Sequence, residues 1–333
     1  MSGNLTESSN PPLGEGTGTA APVPDTASTA RAATAADPAI RGSADINMAP
    51  DLPKEKVQLQ GVEQTLLPMV LFKARDTLSP NPILGDQWAK PLLDQCDIDM
   101  DASHFKFTTD PRYVTWIANR SKRLDQWTQE FLDSHEEPVT VLHLACGLDC
   151  RYFRVNKPSN VRWIELDQPL VVDLRKRLIM QPPGDYTLRT LSVTDDGWFR
   201  DIPADRPTII VAEGLVMYLE QEKGEKLIRD LVDYFKGPNG QGQCQLVFDT
   251  LGTLSVRLTS YIKALRTSKS VFKWGIDEPQ QIERLHPQLK MRDRILWREF
   301  MDSHPPFFGK YGTLAASVMP SFEKNIQFWR FEF

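Results

Sequence analysis

The block Leu144-Ala145-Cys146-Gly147-Leu148-Asp149-Cys150-Arg151-Tyr152-Phe153, entered from the apolar run 139–142, constrains this 333-residue chain more than any other stretch. An apolar strand that breaks into a small-residue turn brings bare backbone N–H groups up to a ligand. A second strand predicted at 162–166 leads into Glu165-Leu166-Asp167, an acidic cluster about twenty residues beyond the turn. That is the layout of a nucleoside-binding crossover.

The turn chemistry discriminates between nucleosides. A dinucleotide fingerprint requires glycine for the turn, for close approach to the pyrophosphate and for helix packing. Here Ala145 holds the first place, Gly147 the second and Cys150 the third, and no P-loop lysine follows. S-Adenosylmethionine carries no phosphate, needs only one or two small residues beneath its methionine portion, and still needs a carboxylate for the ribose hydroxyls. The pattern therefore favours a methyltransferase, with a dehydrogenase and a ligand-free α/β scaffold as alternatives.

Composition bounds the rest. With 41% hydrophobic residues the chain can bury a full core in one large or two ordinary domains. A net charge of −5 without a basic run argues against nucleic acid as partner. No stretch has the length of a membrane span and the start lacks signal-peptide character, so a soluble, cytoplasmic protein is expected. Four cysteines, Cys96, Cys146, Cys150 and Cys244, read as free thiols in a reducing compartment.

Residues 1–56 read as a disordered low-complexity tail, because 2–50 contains no aromatic residue and cannot bury enough surface to offset chain entropy. A transit peptide is the alternative, and Glu7, Glu15, Asp25 and Asp37 beside only Arg31 and Arg41 oppose it.

The domain is then expected over 57–333. Helical patterns at 64–74 and 115–133, the latter with Trp116, Ile117, Leu124, Trp127, Phe131 and Leu132, make an N-terminal helical cap at 57–137. A cofactor-binding core at 138–253 alternates strand and helix: strand 162–166, helix 170–180, strands 187–191 and 208–212, helix 221–235, strand 243–248. A closing strand falls within 321–333. This alternation means an α/β fold with a doubly wound, mostly parallel sheet. Between them, 254–320 reads as a helical substrate cap carrying Tyr261, Phe272, Trp274, Trp297, Phe300, Phe307 and Phe308. Ordinary core packing is the other reading of those aromatics.

Several blocks in order carry a resemblance: Thr65-Leu66-Leu67 with Phe72-Lys73-Ala74, Asn81-Pro82-Ile83-Leu84-Gly85-Asp86, Arg120 to Asp125, Leu144 to Arg154, Trp163 to Pro169, Glu213-Gly214-Leu215-Val216-Met217-Tyr218-Leu219, and Phe272-Lys273-Trp274-Gly275. The chain resembles the leucine carboxyl methyltransferase superfamily, and within it polyketide O-methyltransferases of the tetracenomycin carboxyl-methylating type. The resemblance implies a class I S-adenosylmethionine-dependent methyltransferase, a Rossmann-like sheet with N-terminal helices and a helical cap insertion.

It also implies a site, residue by residue. Arg120 stands where the family's arginine holds the cofactor carboxylate, a role suited to a planar guanidinium, although a solvated helix position is the bland alternative. Lys73 matches a second basic position, with Arg75 as neighbouring rival. Ala145, Cys146 and Gly147 form the turn, and the Ala145 methyl is tolerable only if its backbone stays out of the left-handed region. Asp167 matches the ribose-binding acid, with Glu165 as competitor. Ser192 and Val193 stand where many members have Asp-Leu beside adenine. Glu213 matches a glutamate near the cofactor, its alternative being a charge at a helix N-terminus.

His143, Cys146 and Cys150 imitate the start of a metal site, but the strand-to-turn context lacks a fourth ligand, so no metal is expected. The scattered histidines His104, His135, His143, His286 and His304 offer no general base. That suits an acceptor that is already ionised, a carboxylate with a reference pKa near ~4, or an acidified phenol. The expected function is O-methylation of a small aromatic or polyketide-derived acid or phenol in secondary metabolism. A protein C-terminal leucine carboxyl methyltransferase is the runner-up, and a non-catalytic cofactor-binding or scaffold protein the reading from another class.

Overall fold

The computed structural model describes residues 54–57, 65–98, 110–236, 243–259, 272–297, 299 and 324–333. The tail expected at 1–56 therefore lies almost wholly outside the described residues.

Two short strands, β1 (Glu55–Lys56) and β2 (Cys96–Asp97), pair in parallel. Between them come helices α1 (Leu66–Thr77) and α2 (Ala89–Asp94). Helix α3 (Pro111–Asp133) begins where the sequence supplies a stop and a start together. The Asp110 side chain accepts from the Arg112 N–H, and Pro111 occupies the first turn, where its missing N–H has no consequence.

A seven-stranded sheet follows. Its members are β3 (Thr140–Leu144), β4 (Arg162–Asp167), β5 (Tyr186–Thr190), β6 (Thr208–Ala212), β7 (Gln245–Leu251), β8 (Lys290–Leu296) and β9 (Ile326–Glu332). The order is β5-β4-β3-β6-β7-β9-β8. β3 to β7 pair in parallel, whereas β9 runs antiparallel to both β7 and β8. Helices α4 (Arg151–Arg154), α5 (Pro169–Leu178), α6 (Gln221–Phe235), α7 (Thr253–Thr259) and α8 (Gln280–Glu283), with a 3₁₀ turn at Val216–Tyr218, complete the described elements. The order, with one reversed strand among parallel ones, is the doubly wound, mostly parallel sheet that the sequence predicts.

Alternation along the strands builds a layer on each face. Leu142 and Leu144 of β3 with Ile210 and Ala212 of β6 pack against Leu227, Ile228, Leu231, Val232 and Phe235 of α6. Val141 and Trp163, on the opposite face, pack against Leu124, Trp127 and Phe131 of α3. Each fully buried side chain of this size contributes about 1.5–3 kcal/mol.

The stretch expected as a helical cap differs from its reading. It contains β8, an edge strand whose first half, Lys290 to Arg292, is exposed, with Met291 between two charged residues. Its pattern is not apolar because only one side is paired and neither face is fully covered; β9 supplies its ladder. Trp274 and Trp297 are buried in core clusters, so for these two residues packing is the correct reading. Tyr261, Phe300, Phe307 and Phe308 lie outside the described residues.

Candidate active site

The sheet changes direction of connection at β3, which pairs with β4 on one side and β6 on the other. Ligands of open α/β sheets bind at such a switch point, outside the carboxyl ends of the strands. The residues singled out from sequence cluster here: Ala145 to Gly147 after β3, Asp167 as the last residue of β4, and Glu213 after β6.

The turn is held by backbone and acid together. Cys146 donates its N–H to Leu166 O at 3.1 Å, and Gly147 donates to Asp167 Oδ2 at 2.7 Å. Asp167 Oδ1 accepts from Gln168 N at 2.7 Å. Each carboxylate oxygen keeps a lone pair for a ligand hydroxyl. Burial holds the Asp167 carboxyl above its usual range, against those two hydrogen bonds. Gly147 has φ +53°, and a Cβ there would lie 2.8 Å from Leu66 Cδ2, so the position admits only glycine without displacement.

Ala145 departs from expectation. Its φ is +48°, inside the left-handed region, where it was required not to be. The turn needs that conformation whichever residue occupies it, and an alanine there costs roughly 1–2 kcal/mol.

Arg120 is no solvated helix residue. Its side chain is 7% exposed; Nε donates to Glu213 Oε1 at 3.2 Å, and Nη1 faces Asp249 Oδ2 at 3.4 Å. Lys73 Nζ pairs with Asp149 Oδ1 at 2.9 Å and reaches Glu213 Oε1 at 3.5 Å. The rival Arg75 is only half-buried on the same helix. Glu213 is likewise not a helix-terminal charge. Its carboxylate sits among Lys73, Arg120 and Arg151, which hold it far below the usual carboxylate range against the cost of burial, and Ser121 Oγ donates to it at 2.8 Å.

Glu165, the competitor of Asp167, is fully engaged elsewhere. It accepts from Arg175 and from the Tyr186 hydroxyl, and from Trp163 Nε1 at 3.2 Å. Despite burial, Arg175 first, then His143 and Tyr186, lower its pKa to about 2. Ser192 Oγ bonds the Thr194 hydroxyl at 2.8 Å, and both Ser192 and Val193 are half-buried beyond β5.

Beneath the site lies a buried ionic network that sequence reading missed. Arg151 is fully buried; it donates to Asp125 at 2.6 Å and to Glu213 Oε2 at 2.5 Å. Its Nη1 lies 3.0 Å from His143 Nε2. A guanidinium only donates, so Nε2 accepts and Nδ1 carries the proton toward Glu165, 3.4 Å away. Arg154 joins Asp86, Asp125 and Asp149. The only available signal was the density of Arg and Asp after the turn.

No group of three or more His, Cys, Asp or Glu placed to hold a metal ion occurs among the described residues. All four cysteines are buried and free. Among the described histidines, His135 bonds Phe131 O and His286 faces Asp233, away from the turn. No described helix is long and apolar enough to cross a membrane.

The chain is similar to several known proteins. The family model described as leucine carboxyl methyltransferase matches residues 67–232. The tetracenomycin polyketide synthesis O-methyltransferase TcmP of Streptomyces glaucescens is 38% identical over 241 residues, covering 72% of this chain and 84% of TcmP. The S-adenosyl-L-methionine-dependent methyltransferase dpfgK of Gibberella zeae is 34% identical over 281 residues, covering 80% of this chain and 92% of dpfgK. A solved S-adenosylmethionine-dependent methyltransferase of Anabaena variabilis superposes with a TM-score of 0.44 at 16% identity, covering 84% of this chain and 99% of that one. Fold and matches together define an S-adenosylmethionine-dependent methyltransferase. The chain belongs to the leucine carboxyl methyltransferase family.

Proposed function

We propose that the protein methylates an oxygen of a small aromatic or polyketide-derived acid or phenol, and that the cluster at the switch point holds the methyl donor. The observation that carries this reading is the 38% identity to TcmP across 84% of that enzyme.

The residues present suit the donor. Lys73 and Arg120 both approach one carboxylate oxygen, Glu213 Oε1, at 3.5 and 3.0 Å, a cationic pair matched to the donor's own carboxylate. Asp167 would take the ribose hydroxyls, held in place by the Gly147 N–H, while the Cα of Gly147 packs against Leu66. Cys146 and Ala145 would line the methionine portion, with Ser192 and Val193 toward the adenine. Bound S-adenosylmethionine supplies an electrophilic methyl group on a sulfonium.

The protein's share is then orientation and exclusion of water, together worth roughly 7–11 kcal/mol where reactants are well aligned. Tyr218, in the segment after Glu213, has its hydroxyl pushed up to about 12 by burial, so it stays protonated at neutral pH. His143, beside the turn, is buried and engaged with Arg151 and Glu165, so an acceptor that arrives ionised fits best, which favours a carboxylate.

The test is to incubate the protein with methyl-labelled S-adenosylmethionine and either a panel of polyketide acids and phenols or a protein extract. Alkali-labile label in a small molecule supports carboxyl methylation; alkali-stable label selects a phenol. Label confined to a protein band replaces the proposal with protein carboxyl methylation.

A further inference from the structure

We infer that Asp249 is a positioning residue for the cofactor-carboxylate site: with Glu213 and the bare Cα of Gly214 it forms a socket that fixes the Arg120 guanidinium while leaving part of its donor set for a ligand. The inference rests on the proposed role of Arg120 in holding that carboxylate.

The socket has three walls. Glu213 Oε1 takes one edge of the guanidinium, 3.2 Å from Nε and 3.0 Å from Nη2. Asp249 Oδ2 takes Nη1 at 3.4 Å, while its Oδ1 accepts the Gly214 N–H at 2.6 Å, so one carboxylate fixes both the arginine and the turn beside it. Gly214 itself, at φ +65°, lies flat under the cation; a Cβ there would stand 3.3 Å from Nη1 and 3.7 Å from Cζ. Strand register produces this arrangement. Ala212 of β6 pairs with Phe248 of β7, so the next residues, Glu213 and Asp249, flank the arginine arriving from α3.

Donor counting leaves room for a ligand. A guanidinium has five N–H groups. Among the described contacts three point to carboxylates and one to the weak thioether acceptor of Met69, at 3.7 Å. The Met69 contact and the remaining N–H are available to an incoming carboxylate.

Asp249 is not explained as a stabiliser of the fold. It is fully buried, and desolvation, aided by nearby Glu213, outweighs Arg120 and holds its carboxyl above the usual range. For a carboxyl whose folded pKa is raised, stability is lost as pH rises from the unfolded value through the folded one. Because Asp249 also pairs with Arg120 and accepts the Gly214 N–H, a readout that folding alone would not move is needed to separate a positioning role from a structural one.

The experiment is calorimetric titration of S-adenosylhomocysteine and of 5′-methylthioadenosine, which lacks the amino-acid end, into the full chain and its D249N, R120Q and D249N/R120Q variants, with thermal midpoints in parallel. The expected result for D249N is a midpoint no lower than the parent's, affinity for S-adenosylhomocysteine reduced about two- to thirtyfold, and unchanged affinity for 5′-methylthioadenosine. Introduced beside R120Q, it should add no further loss. Should D249N fail to fold, G214A approaches the same guanidinium from another wall and should give the same selective loss. Equal weakening of both ligands, no weakening of S-adenosylhomocysteine, or an undiminished effect beside R120Q would overturn the positioning role. If R120Q alone leaves the ratio of the two affinities unchanged, the Arg120 reading itself fails, and the inference with it.

Discussion

Ala145→Gly should make the protein more stable, the reverse of what adding a glycine to a chain ordinarily does. Ala145 sits at φ +48°, a conformation that costs an L-residue roughly 1–2 kcal/mol and glycine almost nothing. Against this, glycine's freer unfolded state costs about 0.5–1 kcal/mol. The turn's hydrogen bonds involve Cys146 and Gly147 backbone and survive the change. The net gain is about 0.5–1 kcal/mol, or 1–2 °C in thermal midpoint at roughly 2 °C per kcal/mol for a domain of this size. Differential scanning calorimetry of paired samples without ligand resolves such a shift, and Ala145→Val, β-branched in the same region, should move the other way. A glycine variant less stable than the parent would refute the reasoning, because only the entropic penalty would then be operating and Ala145 could not be strained.

Glu165→Gln should cost about 3–5 kcal/mol at neutral pH by leaving buried Arg175 without its counter-charge. Because the folded pKa of Glu165, about 2, lies below its ordinary 4.5, its contribution is complete above pH ~4.5 and is lost as pH falls toward 2, so the variant should also flatten the acid limb of stability in urea titrations. Gly224→Ala would place a methyl 2.2 Å from Trp274 Cζ3, and chemical denaturation should show a loss of about 1–3 kcal/mol or more. For a carboxylate acceptor, single-turnover methyl transfer should be nearly flat between about pH 6 and 9, whereas a phenol without a base should gain close to tenfold per unit; the steep profile would discard the carboxylate reading. A chain starting at Leu52 should keep the parent's thermal midpoint and S-adenosylhomocysteine affinity, and a large drop in either would show that the preceding residues contribute to the domain.

The parts of the molecule legible in the sequence were those with local cause. The turn after β3, the alternation that builds the parallel strands, the apolar stripe of α6 and Asp167 at a strand end all follow from period and small-residue chemistry. Strand ends shifted by up to three residues, as with β7, expected at 243–248 and found at Gln245–Leu251. β8 was not legible because Lys290-Met291-Arg292-Asp293-Arg294 has no apolar alternation; its partner, β9, lies some thirty-six positions away by register, Lys290 opposite Glu332 being the widest pair. The ionic network escaped for a similar reason. Asp125, Asp149, Arg151 and Arg154 each look like solvated helix or loop charges, and only tertiary packing reveals that they neutralise one another. At Ala145 the sequence posed the right condition, and the fold answered it with strain.

The reversed strand carries a consequence for biogenesis. β7 is buried along its whole length and, on the side away from β6, meets only β9; β8 touches the sheet through β9 alone. During synthesis from the N-terminus, the five parallel strands can assemble first, leaving β7 as an apolar open edge until Ile326–Glu332 has been made. An uncovered edge of that kind is a template for pairing with other chains. Translation speed over the intervening residues, and any chaperone that shields a nascent sheet, would thus bear on the yield of folded protein.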